Sequence, residues 1–525
     1  FSEEIAGNET QLGAIGRGED TEITTYLEES MDFEMSGNVI DLCPVGALTS
    51  KPYEFVARPW ELKKTETIDV FDAVGSSIRI DSKSDKILRV LPRINEEIND
   101  EWISDKTRFA YDGINNQRID RYYIRNIEGK LTEESEDNIL RIIHNNLSNT
   151  KSSQIAALVG NTLDCESIFS FKNFLDELKI ESYDCRQDDS FFIPSQRFSY
   201  IFNSTIKGID DSDLCLLVGT DIKKEAPILS SRIRQRFLSS PKNYKVFSVG
   251  NFNLNFSVDF LGGDSSSLKK LNEKKNLDFF RKSKKPLFIL GQGAMCHDDA
   301  SDIFNYCLNF YQKISKNSYW NGFNILQTFS GRVGALDLGF YNKKNLSRSL
   351  IKKIYEGKFK VLYLMSADEI NFDKIPKKTF VIYHGHHGDK AVKRADLIIP
   401  MSCFTEKEGI YVNLEGRPQI SSQVKFPIEG VRHSWDFLNK LSKLFNFNVC
   451  TDQNDLREKM FLNHEHLGYI NKIKLSKINK NKYNKLKFSN LEMKSNILNF
   501  YMTDSVSRNS KIMSDCSLAF LKETK

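Results

Sequence analysis

From about residue 131 onward the chain keeps one rhythm, and that rhythm limits the fold more than any other feature. Short runs rich in β-branched and aromatic residues end in Gly, Asp or Pro, at 155–160, 215–221, 244–250, 287–293, 361–368, 379–385 and 395–400. Stretches of helical length separate them. One at 168–178 places Phe171, Phe174 and Leu175 on one side, and another covers 300–314. Strands alternating with helices require crossover connections and therefore parallel sheets. Two groups of runs, on either side of about 265–285, suggest two doubly wound lobes. The Gly/Ser/Lys-rich stretch 262–275 reads as a hinge or surface loop between them.

The remainder breaks that rhythm. Residues 1–62 are irregular, with Gly13, Gly16, Gly18 and Gly37 and the segment SGNVIDLCPVGAL at 36–48. From about 66 the period becomes two. Ile68, Val70, Ile78, Ile80, Ile87 and Val90 alternate with polar residues, and a Ser/Asp/Lys turn lies at 81–86. That is a small antiparallel β module. After about 446 the composition turns rich in Lys and Asn, most of all at 471–487, which reads as a solvated extension. Leu475, Ile478, Tyr483 and Leu486 are expected to dock it on the protein's own surface. The organisation expected is 1–62, 63–130, 131–445 and 446–525.

At 525 residues there is ample chain for several cores. The 74 basic residues nearly cancel the 70 acidic ones, so the charge is no footprint for nucleic acid. No apolar run approaches the ~18 residues of a membrane span. Phe1 stands where a Met would begin a chain, and the first residues read as the middle of something longer. Either an upstream segment has been removed or another polypeptide carries it.

Ligands in open α/β sheets lie beyond the carboxyl ends of the strands, which directs attention to the loops after Gly160, Gly219, Gly250, Gly291 and Tyr383. No phosphate-loop or dinucleotide fingerprint follows any strand, so ATP and NAD are disfavoured, and turn geometry accounts for most of the glycines. YHGHHGD at 383–389 gathers three of the eight histidines. In an extended chain His386 and His387 point apart, and only Asp389 stands at a ligand spacing. A hydrogen-bonded loop between lobes is therefore expected there rather than a metal site. Cys296 beside His297 reads as a core cysteine.

Nine cysteines are scattered without a single C-x-x-C pair, which suits buried, reduced thiols. Cys43 differs because Pro44 follows it. Ferredoxin-type cluster runs often end in Cys-Pro. Local residues leave open both a ligand and an ordinary buried thiol before a turn proline.

The segment 36–53, continuing through ARPWE at 57–61, closely resembles the 75 kDa iron–sulfur subunits of mitochondrial respiratory complex I. So do residues 1–18, 64–75, EWISDKTRFAYDG at 101–113, VGTD at 218–221, GHHGD at 385–389, FTEKEGIYVNLEGR at 404–417 and FYMTDSVSR at 500–508. The resemblance implies an α/β fold in which a small irregular Fe–S tail and an antiparallel β module precede two doubly wound lobes like those of molybdopterin oxidoreductases. It implies that Cys43 is the fourth ligand of a [4Fe–4S] cluster, with three cysteines from an upstream segment or another chain. The upstream Fe–S half would carry a [2Fe–2S] and another [4Fe–4S] cluster. Further partners would be the 51 kDa flavoprotein and other peripheral-arm subunits, on the matrix side of the mitochondrial inner membrane, without nucleic acid or a membrane span. Some members hold an additional cluster in the β module, but residues 66–130 contain no cysteine. Active relatives ligate molybdenum ahead of the loop matching Gly219. No cysteine lies between Gln187 and Leu214, so the lobes are expected to be a scaffold without molybdopterin and without a catalytic site of their own. An active molybdenum enzyme of the formate-dehydrogenase or nitrate-reductase kind is the alternative.

Overall fold

The computed structural model describes residues 1–7, 12–25, 31, 33–317, 319–342, 350–478 and 487–523. The apolar runs become strands because they are buried on both faces, which only a helix-covered parallel sheet allows. Ile155–Val159, Leu214–Val218, Pro286–Leu290 and Val361–Met365 are buried at every position.

Two sheets result. A five-stranded parallel sheet has the order Asp259–Gly262, Lys245–Val249, Leu214–Val218, Pro286–Leu290, Phe323–Ile325. A seven-stranded sheet runs Leu131–Glu134, Tyr122–Arg125, Leu397–Pro400, Phe380–Gly385, Val361–Met365, Ile155–Val159, Tyr183–Asp184. Tyr122–Arg125 pairs antiparallel with both Leu131–Glu134 and Leu397–Pro400, and the other pairings are parallel.

Two lobes are therefore present, but chain order does not divide them at 265–285. Lys245–Val249 and Pro286–Leu290 flank the same strand, Leu214–Val218, of the same sheet. Ile155–Val159 instead pairs with Val361–Met365, some 200 positions later. The five-stranded lobe is thus inserted within the seven-stranded one. Nor is 262–275 a hinge. Asp264 caps a short helix, Ser265–Asn272, whose Leu268 and Leu271 are fully buried in the lobe. Its Gly/Ser/Lys composition hid a two-residue apolar anchor.

The helices follow their amphipathic spacing. Glu136–Ser148, capped by Ser135, buries Ile139, Leu140, Ile143 and Leu147. Cys165–Glu177 is capped by Asp164 and covers the predicted 168–178 stretch except Leu178, starting three residues earlier. Lys63–Ile68, Ser77–Lys83 and Lys86–Pro92 form a three-stranded antiparallel sheet with the helix Asp105–Phe109 beside it. The C-terminal region wraps back. Residues 490–498 cross the strand ends of the inserted lobe, and the helix Lys511–Glu523 packs on the small module, with Met513 fully buried. Of the expected docking residues Ile478 packs against the core and Leu475 is exposed, while Tyr483 and Leu486 lie outside the described residues.

Candidate metal centre

The Cys43 loop begins on two buried anchors, Phe33 and Met35. A short helix, Asn38–Leu42, then stops at Cys43. Pro44 causes that stop, because the residue before a proline is driven out of the helical region, and Cys43 is extended at φ −79°, ψ 108°. The chain next turns around the thiol. Gly46 takes φ +68°, and the Leu48 amide donates to Cys43 Sγ at 3.4 Å. The amides of Leu48, Val45, Ala47 and Gly46 hold the thiol below its ordinary pKa. A partly exposed sulfur surrounded by converging N–H dipoles is set up as a thiolate.

A buried polar clamp holds this loop on the small module. Asp105 accepts from the Gly37 amide at 2.7 Å and from the Ser36 hydroxyl. Asn38, fully buried, donates to the carbonyls of Met35 (2.8 Å) and Ile103 (2.7 Å). Its Oδ1 accepts from the Ile103 amide and from Arg108. Arg108 also pairs with Asp41. Burial raises the Asp105 pKa, and the Ser36 and Gly37 bonds oppose it. A Cβ on Gly37 would lie 2.7 Å from Arg108, so glycine is required for the close approach. Sequence reasoning missed this clamp because Asn38, Asp105 and Arg108 carry no motif. In the sequence flanking Cys43, Leu42, Val45, Phe55, Val56 and Trp60 are all substantially exposed.

The strand-end crevices are a different kind of place. Gly219 has φ +57°, and a Cβ there would meet the Ala294 amide nitrogen at 2.4 Å, so its lack of a side chain serves loop-on-loop packing. Fully buried Arg186 pairs with Asp184 at 2.8 Å, and Arg332 with Asp188 at 3.1 Å. Arg508, from the C-terminal segment, reaches Asp368, Glu369 and Asp389 beyond the strands Val361–Met365 and Phe380–Gly385. On the inserted lobe, cavities of 520 and 370 Å³ remain either side of residues 490–498. The Lys494 carbonyl passes 2.6 Å from where a Gly293 Cβ would be. Nearby thiols are not poised as ligands: burial pushes Cys185 up to about 12 and raises Cys296 well above the usual thiol value. The chain's own ion pairs and C-terminal segment occupy part of these strand ends. Cys296 and His297 do not pair. Cys296 Sγ faces Gln292 at 3.6 Å and His297 Nε2 faces the Leu491 carbonyl at 3.2 Å.

The histidine loop departs from expectation. His384 lies in its strand, buried against Tyr363 and Phe437. His386 and His387 do not point apart. Their Nδ1 atoms face each other at 2.5 Å, and ligand atoms of both lie within 4.8 Å of Cys403, sixteen positions later in sequence. Strand Phe380–Gly385 has ended by then, so the extended-chain reasoning no longer applies.

One parallel and one mostly parallel sheet with crossover helices agree with the molybdopterin oxidoreductase class, whose family model matches residues 118–444. The model for the ferredoxin-like domain of NADH-quinone oxidoreductase subunit 3 matches 1–49, and the NADH-ubiquinone oxidoreductase NDSU1/NuoG-like 4Fe-4S domain matches 62–112. The model for the C-terminal region of the NADH-ubiquinone oxidoreductase G subunit matches 470–516. The 75 kDa subunit of NADH-ubiquinone oxidoreductase from Reclinomonas americana is 41% identical over 98% of this chain and 77% of its own length. The mitochondrial 78 kDa subunit from Candida albicans is 41% identical over 99% of this chain and 73% of its own. The NADH-quinone oxidoreductase G subunit from Rickettsia felis is 40% identical over 98% and 75%. The chain belongs to this family of 75 kDa, or G-type, electron-transfer subunits of complex I. The active molybdenum enzyme is not the favoured reading. Iron–sulfur domains are part of the match, although the region 62–112 contains no cysteine.

Proposed function

We propose that Cys43 is a thiolate ligand of a [4Fe–4S] cluster that relays electrons from NADH and flavin towards quinone. The amide cradle around its sulfur carries this reading. Such a cluster supplies one-electron transfer, and the N–H dipoles aimed at a ligating sulfur favour its more negative state and so raise its potential. The chain's own part is positional. The Asp105–Asn38–Arg108 clamp fixes the loop, and the loop fixes the sulfur. No proton-transfer group is needed.

The other three thiolates come from an upstream segment or a second polypeptide, the Fe–S half of the 75 kDa subunit. The exposed apolar side chains of Leu42, Val45, Phe55, Val56 and Trp60, flanking Cys43 in sequence, are suited to that contact. Partners include the 51 kDa flavoprotein and other peripheral-arm subunits, on the matrix face of the mitochondrial inner membrane. Among the described residues no helix is long and apolar enough to cross a membrane. The two lobes serve as a scaffold without molybdopterin, a reading supported by the ion pairs and the C-terminal segment at their strand ends.

Cys43→Ser in the assembled complex tests the assignment. Native electrophoresis should show intact assembly, and low-temperature EPR should show one tetranuclear signal lost or shifted with the others unchanged. If every cluster signal survives unaltered, Cys43 is not a ligand. Stoichiometric molybdenum in the purified complex would overturn the scaffold reading.

A further inference from the structure

Away from Cys43, and independent of its role, His386, His387 and Cys403 converge in the interior. All three are almost fully buried, and one ligand atom of each lies within 4.8 Å of the others. His387 Nε2 lies 2.9 Å from the Gly113 carbonyl, which can only accept, so Nε2 carries the proton and Nδ1 keeps its lone pair. His386 turns Nε2 towards the Ser366 hydroxyl at 3.4 Å. The two Nδ1 atoms are thereby left facing each other at 2.5 Å, with ring planes at 88°. Lone pairs at that distance repel unless a proton or a cation lies between them. Cys403 precedes the turn Phe404–Glu406: its carbonyl accepts the Glu406 amide at 3.0 Å and its own amide donates to the Glu406 carboxylate at 2.8 Å, which fixes the backbone that carries the sulfur. Burial raises the Cys403 pKa and nearby Arg118 opposes it, while Arg118 is itself balanced by a two-pronged pair with Glu406 at 2.6 and 2.8 Å.

We propose that His386 Nδ1, His387 Nδ1 and Cys403 Sγ form a three-ligand Zn²⁺ site. Two neutral imidazoles and a thiolate suit this borderline-soft ion, whereas an oxygen-preferring cation such as Mg²⁺ or Ca²⁺ finds no match. Tetrahedral bonds of about 2.0–2.1 Å to nitrogen and about 2.3 Å to sulfur would place the nitrogens roughly 3.3 Å apart and the sulfur roughly 3.6 Å from each. The nitrogens must therefore separate by under an ångström and the sulfur close in by about as much or slightly more, which side-chain rotation achieves. Binding releases the Cys403 proton to solvent, and the thiolate cancels one of the ion's two charges. A small exogenous ligand such as water takes the fourth position. The carbonyl on His387 Nε2–H supplies the outer-shell bond that orients a ligating imidazole. The ion would tie the end of the strand Phe380–Gly385 to the loop after Leu397–Pro400 and, through Gly113, to the small module.

The test is zinc K-edge X-ray absorption on the full chain, purified reduced and equilibrated with buffered zinc; iron does not contribute at that edge. The expected result is about one zinc per chain, with one sulfur near about 2.3 Å and two imidazole nitrogens near about 2.0–2.1 Å. Cys403→Ala should lose the sulfur scatterer and bind zinc at least roughly ten-fold more weakly, while Cys43→Ala should keep both. An unloaded wild-type chain, a shell without sulfur, a site that takes copper instead, or zinc lost with Cys43→Ala would each overturn the proposal. The wild-type measurement stands even if Cys403→Ala fails to fold.

Discussion

The Cys43 loop and the paired lobes treat the same element, sulfur, in opposite ways. In the loop the thiol is partly exposed, turned to the surface and encircled by amides that favour its thiolate. Elsewhere burial raises every other cysteine: Cys185 to about 12, Cys450 and Cys516 to about 11, and Cys165, Cys215, Cys296, Cys307 and Cys403 also upward. The contrast shows what each region has spare. The lobes satisfy themselves, with strand ends partly occupied by ion pairs and by the C-terminal segment. The loop leaves both a nucleophile and its flanking apolar side chains unfinished.

The sharpest way to break this contrast is chemical. In the free chain at neutral pH, iodoacetamide should modify Cys43 at least about 100-fold faster than any other cysteine, read by peptide mass spectrometry. Equal labelling of Cys450 or Cys516 would sink the comparison. In the assembled complex Cys43 should be protected. The expected rate advantage should also shrink in Asp105→Ala, because the clamp no longer holds the amides around the sulfur.

Next in size is the closure of the lobes. Arg508→Ala leaves Asp368, Glu369 and Asp389 clustered without their cation. A loss of about 3–5 kcal/mol is expected for breaking such a pair. It should appear in denaturant unfolding, together with faster hydrogen exchange over 499–523. Unchanged exchange there would mean the C-terminal segment is held by its apolar contacts alone.

The smallest effect concerns pH. Burial pushes Glu225 up to about 8, against the amide bonds it accepts from Gln292 and Asp221. Its unfolded value is about 4.3. Below about 4.3 both states are protonated and the contribution is fully present. Between that value and 8 the unfolded chain ionises first, so this stability is lost as pH rises through the folded pKa. Glu225→Gln should flatten the fall in unfolding free energy between pH 5 and 8 by at most about 1.4 kcal/mol per pH unit. An identical slope in the variant would show that Glu225 is ionised in the fold.

Local order was legible in the residues because it depends on neighbours a few positions apart. Hydrophobic periodicity marked seven strands between 155 and 400, but not the short Tyr183–Asp184, Asp259–Gly262 and Phe323–Ile325, and it marked the helices at 168–178 and 300–314. Cys-Pro singled out Cys43, since a proline constrains the residue before it wherever the chain goes. The resemblance in 36–53 and 404–417 set the family. Tertiary structure alone decided which strands share a sheet, because Ile155–Val159 and Val361–Met365 meet across an inserted lobe that no local pattern announces. It alone supplied the clamp under Cys43, whose Asn38 and Asp105 are nearly 70 positions apart, and the approach of Cys403 to His386 and His387. Side chains that meet only after the backbone has turned leave no spacing to read, and in this protein those meetings leave one sulfur partly exposed and bury another.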